Sequence, residues 1–375
     1  MAGRPSILIV GGGIAGLTLA VGLARKGVRA EVVEIQPRWN VLGVGISLTG
    51  PTLRALASIG LIDACVAAAF GFGRIVICDR NGAVVDQMGV PPLNGPAYPP
   101  MVAIGRPALH EALLGALAAA GGGVRLGVTA DALDQRADAV EAAFSDGTRG
   151  RYDLVVGADG FHSKLRETFF PDAPRPRFTG LAVWRATMPR RPEIDAMHMY
   201  YGPRNKAGLN PTSPGEMFLF LVQSIADDRR PTPEEQLRIL REQLSDYGGI
   251  VADVRDGLAD PRRIDYRPMD ALLVPPPWHR GRVLLIGDAV HTTTPHLATG
   301  AGIAIEDAVV LAEMLASGAG IPDVLGRYAE RRYPRCKLVV ETSITLGEWE
   351  KDPKIPPADH AALMKRTFAA LAQPI

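Results

Sequence analysis

The 375-residue sequence predicts an α/β protein. It has a Rossmann-like dinucleotide-binding domain, interrupted by an inserted β-sheet-plus-helix domain and completed by a helical C-terminal part. Three observations point there. At the N-terminus an apolar run meets a cluster of glycines and then a helix, in "ILIVGGGIAGLTLAVGLARKGVRAEVVE". After about Pro174 that style gives way to strand-like runs parted by turn residues. The buried-strand style then returns in "WHRGRVLLIGDA", far along the chain.

Taken in order, Ser6–Val10 is a short apolar run ending at glycines, hence a buried strand. Ile14–Lys26 has helical spacing and stops at Gly27, and Ala30–Glu34 is a second strand. The three make a βαβ unit with parallel strands and a right-handed crossover. "SLTGPTLRALASIGLIDACVAAA" holds one or two helices. Arg74–Asp79 and Val84–Gln87 flank an Asn-Gly turn and form a hairpin. "GRPALHEALLGALAAAG" is a helix. Val124–Val128, Val140–Ser145 and Arg149–Tyr152 read as an antiparallel meander. "DLVVGADG" is another buried strand. "FTGLAVWRATMP", "AMHMYYGP" and "EMFLFLVQ" are strands of the insert, followed by the helix "TPEEQLRILREQLSDYG". These elements divide the chain into a discontinuous cofactor domain (1–72, 101–170 and 276–330), a substrate domain (73–100 and 171–275) and a C-terminal helical segment (331–375).

Composition excludes several classes. A net charge of +1 leaves no electrostatic footprint for nucleic acid or an anionic membrane. Cys65, Cys78 and Cys336 are far apart and form no CxxC or Cys/His cluster, so neither a disulfide scaffold nor structural zinc is expected. The apolar N-terminus is broken by Gly11, Gly12, Gly13 and Gly16 and reads as strand–turn–helix rather than a signal peptide. No stretch of about 18 uninterrupted apolar residues occurs elsewhere. A cytoplasmic protein without stable membrane association is expected, as a monomer or homodimer.

Three motifs carry chemistry. In the first, Gly11 allows a tight turn, Gly13 lets the backbone approach a pyrophosphate, and Gly16 lets the helix pack close to the strand. Ile14 and Ala15 open a helix whose free N–H groups suit phosphates. Glu34 ends the second strand about 20 residues on, where a carboxylate can accept from ribose hydroxyls. This motif alone leaves NAD and FAD both open. The second is "YDLVVGADGFHSKLRE", which reads equally as a strand and turn with Ser163 as a helix cap. The third is "VLLIGDAVHTTTPHLATGAGIAIEDA". Asp288 at its strand end suits a cofactor's hydroxyl chain or, equally, a turn. The small residues Ala298–Gly302 at a helix start admit a planar group and favour negative charge there.

Together the three segments resemble the single-component FAD-dependent aromatic hydroxylases, the p-hydroxybenzoate hydroxylase-like group. These carry a dinucleotide fingerprint, a DG motif and a GD motif in this order. Here they are Gly11–Gly16 with Glu34, Asp159-Gly160, and Gly287-Asp288. "GVGISLTGPTLRAL", "IGRPALHEAL" and "GLAVWRATMP" extend the likeness over most of the chain. "PHLATGAGIAIEDA" is most similar in style to the salicylate and 6-hydroxynicotinate hydroxylases, with Thr299 in place of their Gln and Val290 at a position where a smaller residue is usual. The resemblance implies FAD as cofactor, NADH or NADPH as reductant and O2 as co-substrate. The implied reaction hydroxylates a hydroxylated aromatic or N-heteroaromatic compound, of benzoate or pyridine type, through a flavin C4a-hydroperoxide. It also implies that Glu34 meets the adenosine ribose and that Arg106 reaches the phosphate or ribityl region. Asp159 would lie by the pyrophosphate and help NAD(P)H binding. Asp288 would hold the ribityl or pyrophosphate region, Pro295 the ring edge, and the amides of Gly300, Ala301 and Gly302 the pyrimidine oxygen.

Such chemistry asks for a base to ionise the substrate hydroxyl and for polar groups to orient it. His296, beside Pro295, is the first candidate base, and a helix-start histidine bonded to backbone is its plain alternative. His291 reads as structural, as does Arg185. In the insert, His198, Tyr200, Tyr201 and Arg204 are candidate substrate contacts, with alternation sending His198 and Tyr200 to one face and Tyr201 to the other. The competing readings are the same FAD scaffold working as a reductase or oxidase, and a non-catalytic nucleotide-binding module.

Overall fold

The computed structural model describes residues 5–40, 44–352 and 354–375, so Gly43, the first residue of the "GVGISLTGPTLRAL" stretch, lies outside the described residues. Its centre is a six-stranded sheet in the order His279–Arg280, Val283–Leu285, Leu154–Gly157, Ser6–Val10, Arg29–Glu34 and Val124–Leu126. All neighbours are parallel except the edge strand His279–Arg280. Ser6–Val10 is an inner strand, with Ile7, Leu8 and Ile9 fully buried, as its uninterrupted apolar run requires. The helices Ile14–Arg25 and Gly300–Ala316 pack side by side on this sheet, close enough that a Cβ on Gly22 would lie 2.9 Å from Ala312 Cβ.

The expected meander is only half present. Val140–Phe144 pairs antiparallel with Arg149–Tyr152, but its other neighbour is Ala130–Gln135. Val124–Leu126 instead joins the main sheet parallel to Arg29–Glu34. It follows the helix Arg106–Ala119, so a helix-linked crossover claims it. The charged "ADALDQ" carries too little apolar alternation to announce a strand.

The second large sheet has seven strands in the order Ile264–Ala271, Arg177–Pro189, Glu216–Ser224, Lys206–Pro211, Met197–Tyr201, Arg74–Asp79 and Val84–Gly89. Of these, Lys206–Pro211 and Ile264–Ala271 were not foreseen. Pairing register separates its two faces. Trp184, Leu221, Ala207 and Tyr200 share one, in a single cluster with Leu240, Leu244, Val251 and Val254 of the helices Pro233–Gln243 and Gly249–Gly257. The first of those helices starts with a full capping box between Thr232 and Glu235. Val183, Arg185, Phe220, Val222, Lys206, Gly208 and Asn210 share the opposite face. A small sheet of Ile46–Leu48, Met101–Ile104 and Phe70–Phe72 meets that face, where Asn210 Nδ2 donates to Ser47 Oγ at 3.1 Å.

The C-terminal part holds the 31-residue helix Ile321–Lys351 and the helix Pro357–Leu371. Arg54 clamps its end by donating to the carbonyls of Ala372 and Gln373. Among the described residues, no helix is long and apolar enough to cross a membrane.

Candidate active site

The glycine loop separates positions the fold itself needs from one it does not. A Cβ on Gly11, whose φ is +110°, would lie 2.3 Å from the Ala158 carbonyl oxygen, and one on Gly16 would lie 2.0 Å from that of Gly11. A Cβ on Gly13 would meet nothing within 4 Å, and its backbone is ordinary extended chain. The space beside Gly13, at the start of the helix opened by Ile14 and Ala15, is therefore free for a ligand's phosphates. Glu34 lies against the same loop: Gly12 N–H donates to Oε2 at 2.8 Å and Gln36 N–H to Oε1 at 2.9 Å.

Across the sheet, Leu165 N–H donates to Asp159 Oδ2 at 3.1 Å, while Asp159 Oδ1 is buried without a partner. A buried orphan carboxylate oxygen is costly, and a hydroxyl or amide of a bound cofactor would satisfy it. Ser163 caps the helix Lys164–Phe169, as the plain reading of this motif expects. Arg166, not foreseen, is buried and donates to the carbonyls of Ala289 and Phe161, tying the Asp159 turn to the Asp288 turn. Its placement in "HSKLRE" gave no sign of this.

Asp288 follows Gly287, whose φ is +64° and whose Cβ would lie 3.0 Å from Ala15 Cβ, so the two cofactor motifs touch. Asp288 is open to solvent, yet surrounding protein pushes its carboxyl up by desolvation, against the pull of His291 and Arg106. Arg106, at the start of its own helix, has its guanidinium pushed down by burial and by Arg267, with Asp288 and Asp265 opposing.

The small-residue helix begins after a single turn, Pro295–Leu297, and Ala298 in the left-handed region at φ +51°. A Cβ on Gly302 would lie 2.3 Å from Thr52 Oγ1, and Thr299 Oγ1 is buried without a partner. Gly300 and Ala301 remain partly open. The helix start thus offers unpaired N–H groups beside a bare surface. Open space at Gly13, the orphan oxygen of Asp159, the exposed carboxylate of Asp288 and this small-residue helix start fit a dinucleotide that carries a flat, electron-accepting ring.

Beneath that edge lies a buried charge lock. Asp307 receives Arg332 Nε at 2.8 Å on Oδ1, and Gly287 N–H at 3.0 Å and His291 Nε2 at 2.5 Å on Oδ2. Glu306 receives Arg332 and Arg335. His291, Asp307 and Cys336 bring ligand-type atoms within 4.8 Å of one another, but both Asp307 oxygens are already engaged by Arg332, His291 and backbone. His291 is accordingly a structural residue. Two acids inside the apolar helix "GAGIAIEDAVVLAEMLA" are the sequence signal for this lock, because buried carboxylates need cationic partners.

The site's polar end lies where the start of the inner strand Lys206–Pro211 meets the last turn of the helix Ile321–Lys351. His296 is held at Nδ1 by Thr294 Oγ1, at 2.8 Å, and its Nε2 lies 3.3 Å from Glu350 Oε2 without the alignment of a hydrogen bond. The other oxygen of Glu350 pairs with Lys206. The imidazole also packs on Gly347, where a Cβ would come within 3.0 Å of Cε1. Burial pushes the Glu350 carboxyl up, but Lys206 and His296 outweigh it and hold it at about 2. Neither Lys206 nor Glu350 was foreseen. They are 144 residues apart, and each alone reads as a surface charge.

The other candidates in the insert go elsewhere. Tyr200 is buried and His198 largely so, on the face covered by the helix pair, opposite Ala207 and Leu209. Tyr201 shares the face of Lys206 but is exposed. Arg204 is exposed in an ion pair with Asp246. Among the described residues, no hydrogen bond or ion pair joins any of the four to Thr294, His296 or Glu350, and only Tyr201 stands next to Lys206. Arg185, read as structural, lies on the inward face, 3.6 Å from Asp265, with its guanidinium lowered to about 10 by burial and by Arg106.

Comparison with known proteins matches residues 4–343 to the FAD binding domain family. The 3-amino-4-hydroxybenzoate 2-monooxygenase of Streptomyces cremeus is 32% identical over 354 residues, covering 91% of this chain and 86% of that one. The 2-heptyl-3-hydroxy-4(1H)-quinolone synthase of Pseudomonas aeruginosa strain UCBPP-PA14 is 31% identical over 356 residues, covering 92% and 90%. Among solved structures, Klebsiella pneumoniae HpxO complexed with FAD and uric acid superposes with a TM-score of 0.86 at 24% identity, covering 99% of this chain and 96% of that one.

Proposed function

The chain belongs to the FAD binding domain family and is an FAD-dependent aromatic monooxygenase; from that premise we propose how its own residues serve the reaction. Bound FAD, with NADH or NADPH as reductant and O2 as co-substrate, would supply the electrophilic oxygen. Gly13, Ile14 and Ala15 hold the pyrophosphate with backbone N–H groups, Glu34 the adenosine ribose, and Arg106 the phosphate charge. Asp159 and Asp288 accept from the cofactor's hydroxyl chain. The amides of Gly300, Ala301 and Gly302 and the helix dipole favour the negative charge of the reduced ring edge, with Pro295 against that edge.

His296 accepts the proton of the substrate's ring hydroxyl or N–H at Nε2. Glu350 stabilises the charge so formed, and Lys206 keeps Glu350 ionised and in place. Val183, Val222, Leu181 and Met269 form an apolar cluster on the inward face that limits water at the reacting carbon. The observation that carries this reading is the contact of the Gly287–Asp288 turn with Ala15 of the glycine-loop helix, with a buried imidazole four residues before the Gly300 helix start. Three unpaired thiols fit a reducing cytoplasm.

The substrate is a small hydroxylated aromatic or N-heteroaromatic compound. The test is NAD(P)H oxidation stimulated by a panel of hydroxybenzoates, hydroxypyridines and hydroxyquinolines, with product and H2O2 both measured. Stimulation with hydroxylated product supports the reading. Stimulation that yields H2O2 alone, or none with any compound, counts against it.

A further inference from the structure

The inward face of the second sheet carries one ion pair at one end and an arginine-rich cluster, with Arg106 beside it, at the other. Lys206 is tied to Glu350, and Arg185 and Arg267 share Asp265. Between them the face is Gly208, Phe218, Phe220, Val222 and Val183, and the Phe220 ring lies across Gly208, where a Cβ would meet it at 2.1 Å. Lys206 and Glu350 close one end of this face, and His296 stands beside them with an unpartnered, buried Nε2. The site thus offers an aromatic surface ending in an anion and an imidazole, with the Lys206 ammonium at that end already paired and the arginine charge on strands farther along the sheet.

We propose, resting on the monooxygenase reading above, that the Lys206–Glu350 pair makes this end of the cavity select a neutral proton-donating ring substituent, a hydroxyl or N–H, and reject a carboxylate. A carboxylate brought to Lys206 meets the Glu350 carboxylate at the same nitrogen, and like charges confined in a low-dielectric pocket repel strongly. A hydroxyl or ring N–H instead donates to His296 Nε2 or Glu350. The neighbouring groups support the assignment: Lys206 holds Glu350 ionised even though burial opposes it. Among compounds of similar size, the preferred substrates are then phenols, hydroxypyridines or hydroxyquinolines without a carboxylate beside the reacting ring position.

The test measures dissociation constants from perturbation of the bound-flavin absorbance, using matched pairs: 3-hydroxypyridine against 3-hydroxypicolinate, and phenol against salicylate. The wild-type holoenzyme is expected to bind the neutral member about tenfold or more tightly. Glu350→Gln keeps the shape and frees the Lys206 charge, so its preference should swing toward the carboxylate by about tenfold or more. Glu350→Asp, keeping the charge, should retain the wild-type order. FAD content of each variant checks that the fold is intact. If Glu350→Gln loses FAD, the order in Lys206→Met, which cannot attract a carboxylate, must stay on the neutral side. Equal or tighter wild-type binding of the carboxylates overturns the inference and leaves the monooxygenase reading standing, as does a Glu350→Gln preference identical to wild type. If no aromatic compound perturbs the flavin or stimulates NAD(P)H oxidation, both fall.

Discussion

His296 Nε2 lies 3.3 Å from Glu350 Oε2, although the two residues come from the turn before one helix and the last turn of another. That proximity makes His296 the strongest candidate base. His296→Ala is predicted to lower kcat/KM for the aromatic substrate by about a hundredfold, the usual scale of general-base catalysis, while FAD stays bound. Steady-state kinetics with a flavin-to-protein absorbance ratio decide it. Unchanged kinetics and coupling would remove His296 from the mechanism.

The glycine loop separates binding from folding. Gly13→Ala adds a methyl into open space on ordinary backbone, so the apoprotein should unfold at the wild-type urea midpoint and yet hold FAD far more weakly. Gly16→Ala drives a methyl to 2.0 Å from the Gly11 carbonyl oxygen and should cost several kcal/mol, about the 1–3 expected of overpacking or more. Urea titrations and FAD equilibrium dialysis on both variants distinguish the two glycines. Wild-type FAD affinity in Gly13→Ala contradicts the phosphate assignment.

Breaking the buried lock should be costly in a way no surface pair is. Arg332→Met leaves Asp307 to His291 and Glu306 to Arg335, removes the cation the two nearly inaccessible acids share, and is predicted to lose about 3 kcal/mol, the low end for a broken buried pair. Exposed pairs such as Arg238 with Glu242 should contribute under about 1 kcal/mol. Chemical denaturation of the two apoprotein variants makes the comparison.

The lock also sets a pH window. Burial pushes Asp307 up, but His291 and Arg332 outweigh it and hold it at about 2, below its ordinary 3.8. Its contribution is present above about pH 4 and lost as pH falls toward 2. Burial disfavours the His291 cation, but Asp307 and Cys336 raise it well above 6.5. That contribution is full below 6.5 and lost as pH rises through the raised value. Stability against urea should therefore fall on the alkaline side in wild type, and His291→Asn should lack that fall. An identical alkaline slope in both would exclude His291 as its source.

Much of the cofactor half was legible because it is local. A strand, three glycines, a helix start and an acid fall within residues 6–34, and their spacing dictates their geometry. The substrate half depends on register between strands far apart in sequence. Alternation sets His198 and Tyr200 apart from Tyr201, but only the pairing of Tyr200 with Ala207, and the helices that cover that face, shows which side they take. Lys206 and Glu350 escaped notice because neither belongs to a motif, and their meaning arises only when the long C-terminal helix returns to the insert. Arg166 and Arg332 were hidden for a similar reason: an arginine among charged residues reads as surface until its carbonyl or carboxylate partners are placed. Ala130–Gln135 was missed because its outer face is solvated and its inner face alternates Leu133 with the polar Gln135, too little apolar pattern to mark a strand.

The most direct test of the central claim is a single turnover under ¹⁸O2 with NAD(P)H and the best aromatic substrate, followed by mass spectrometry of the product. One ¹⁸O atom in the aromatic product, with one NAD(P)H consumed per product formed, is the predicted result. Consumption of NAD(P)H with all the label in H2O2 and an unchanged aromatic compound would contradict it.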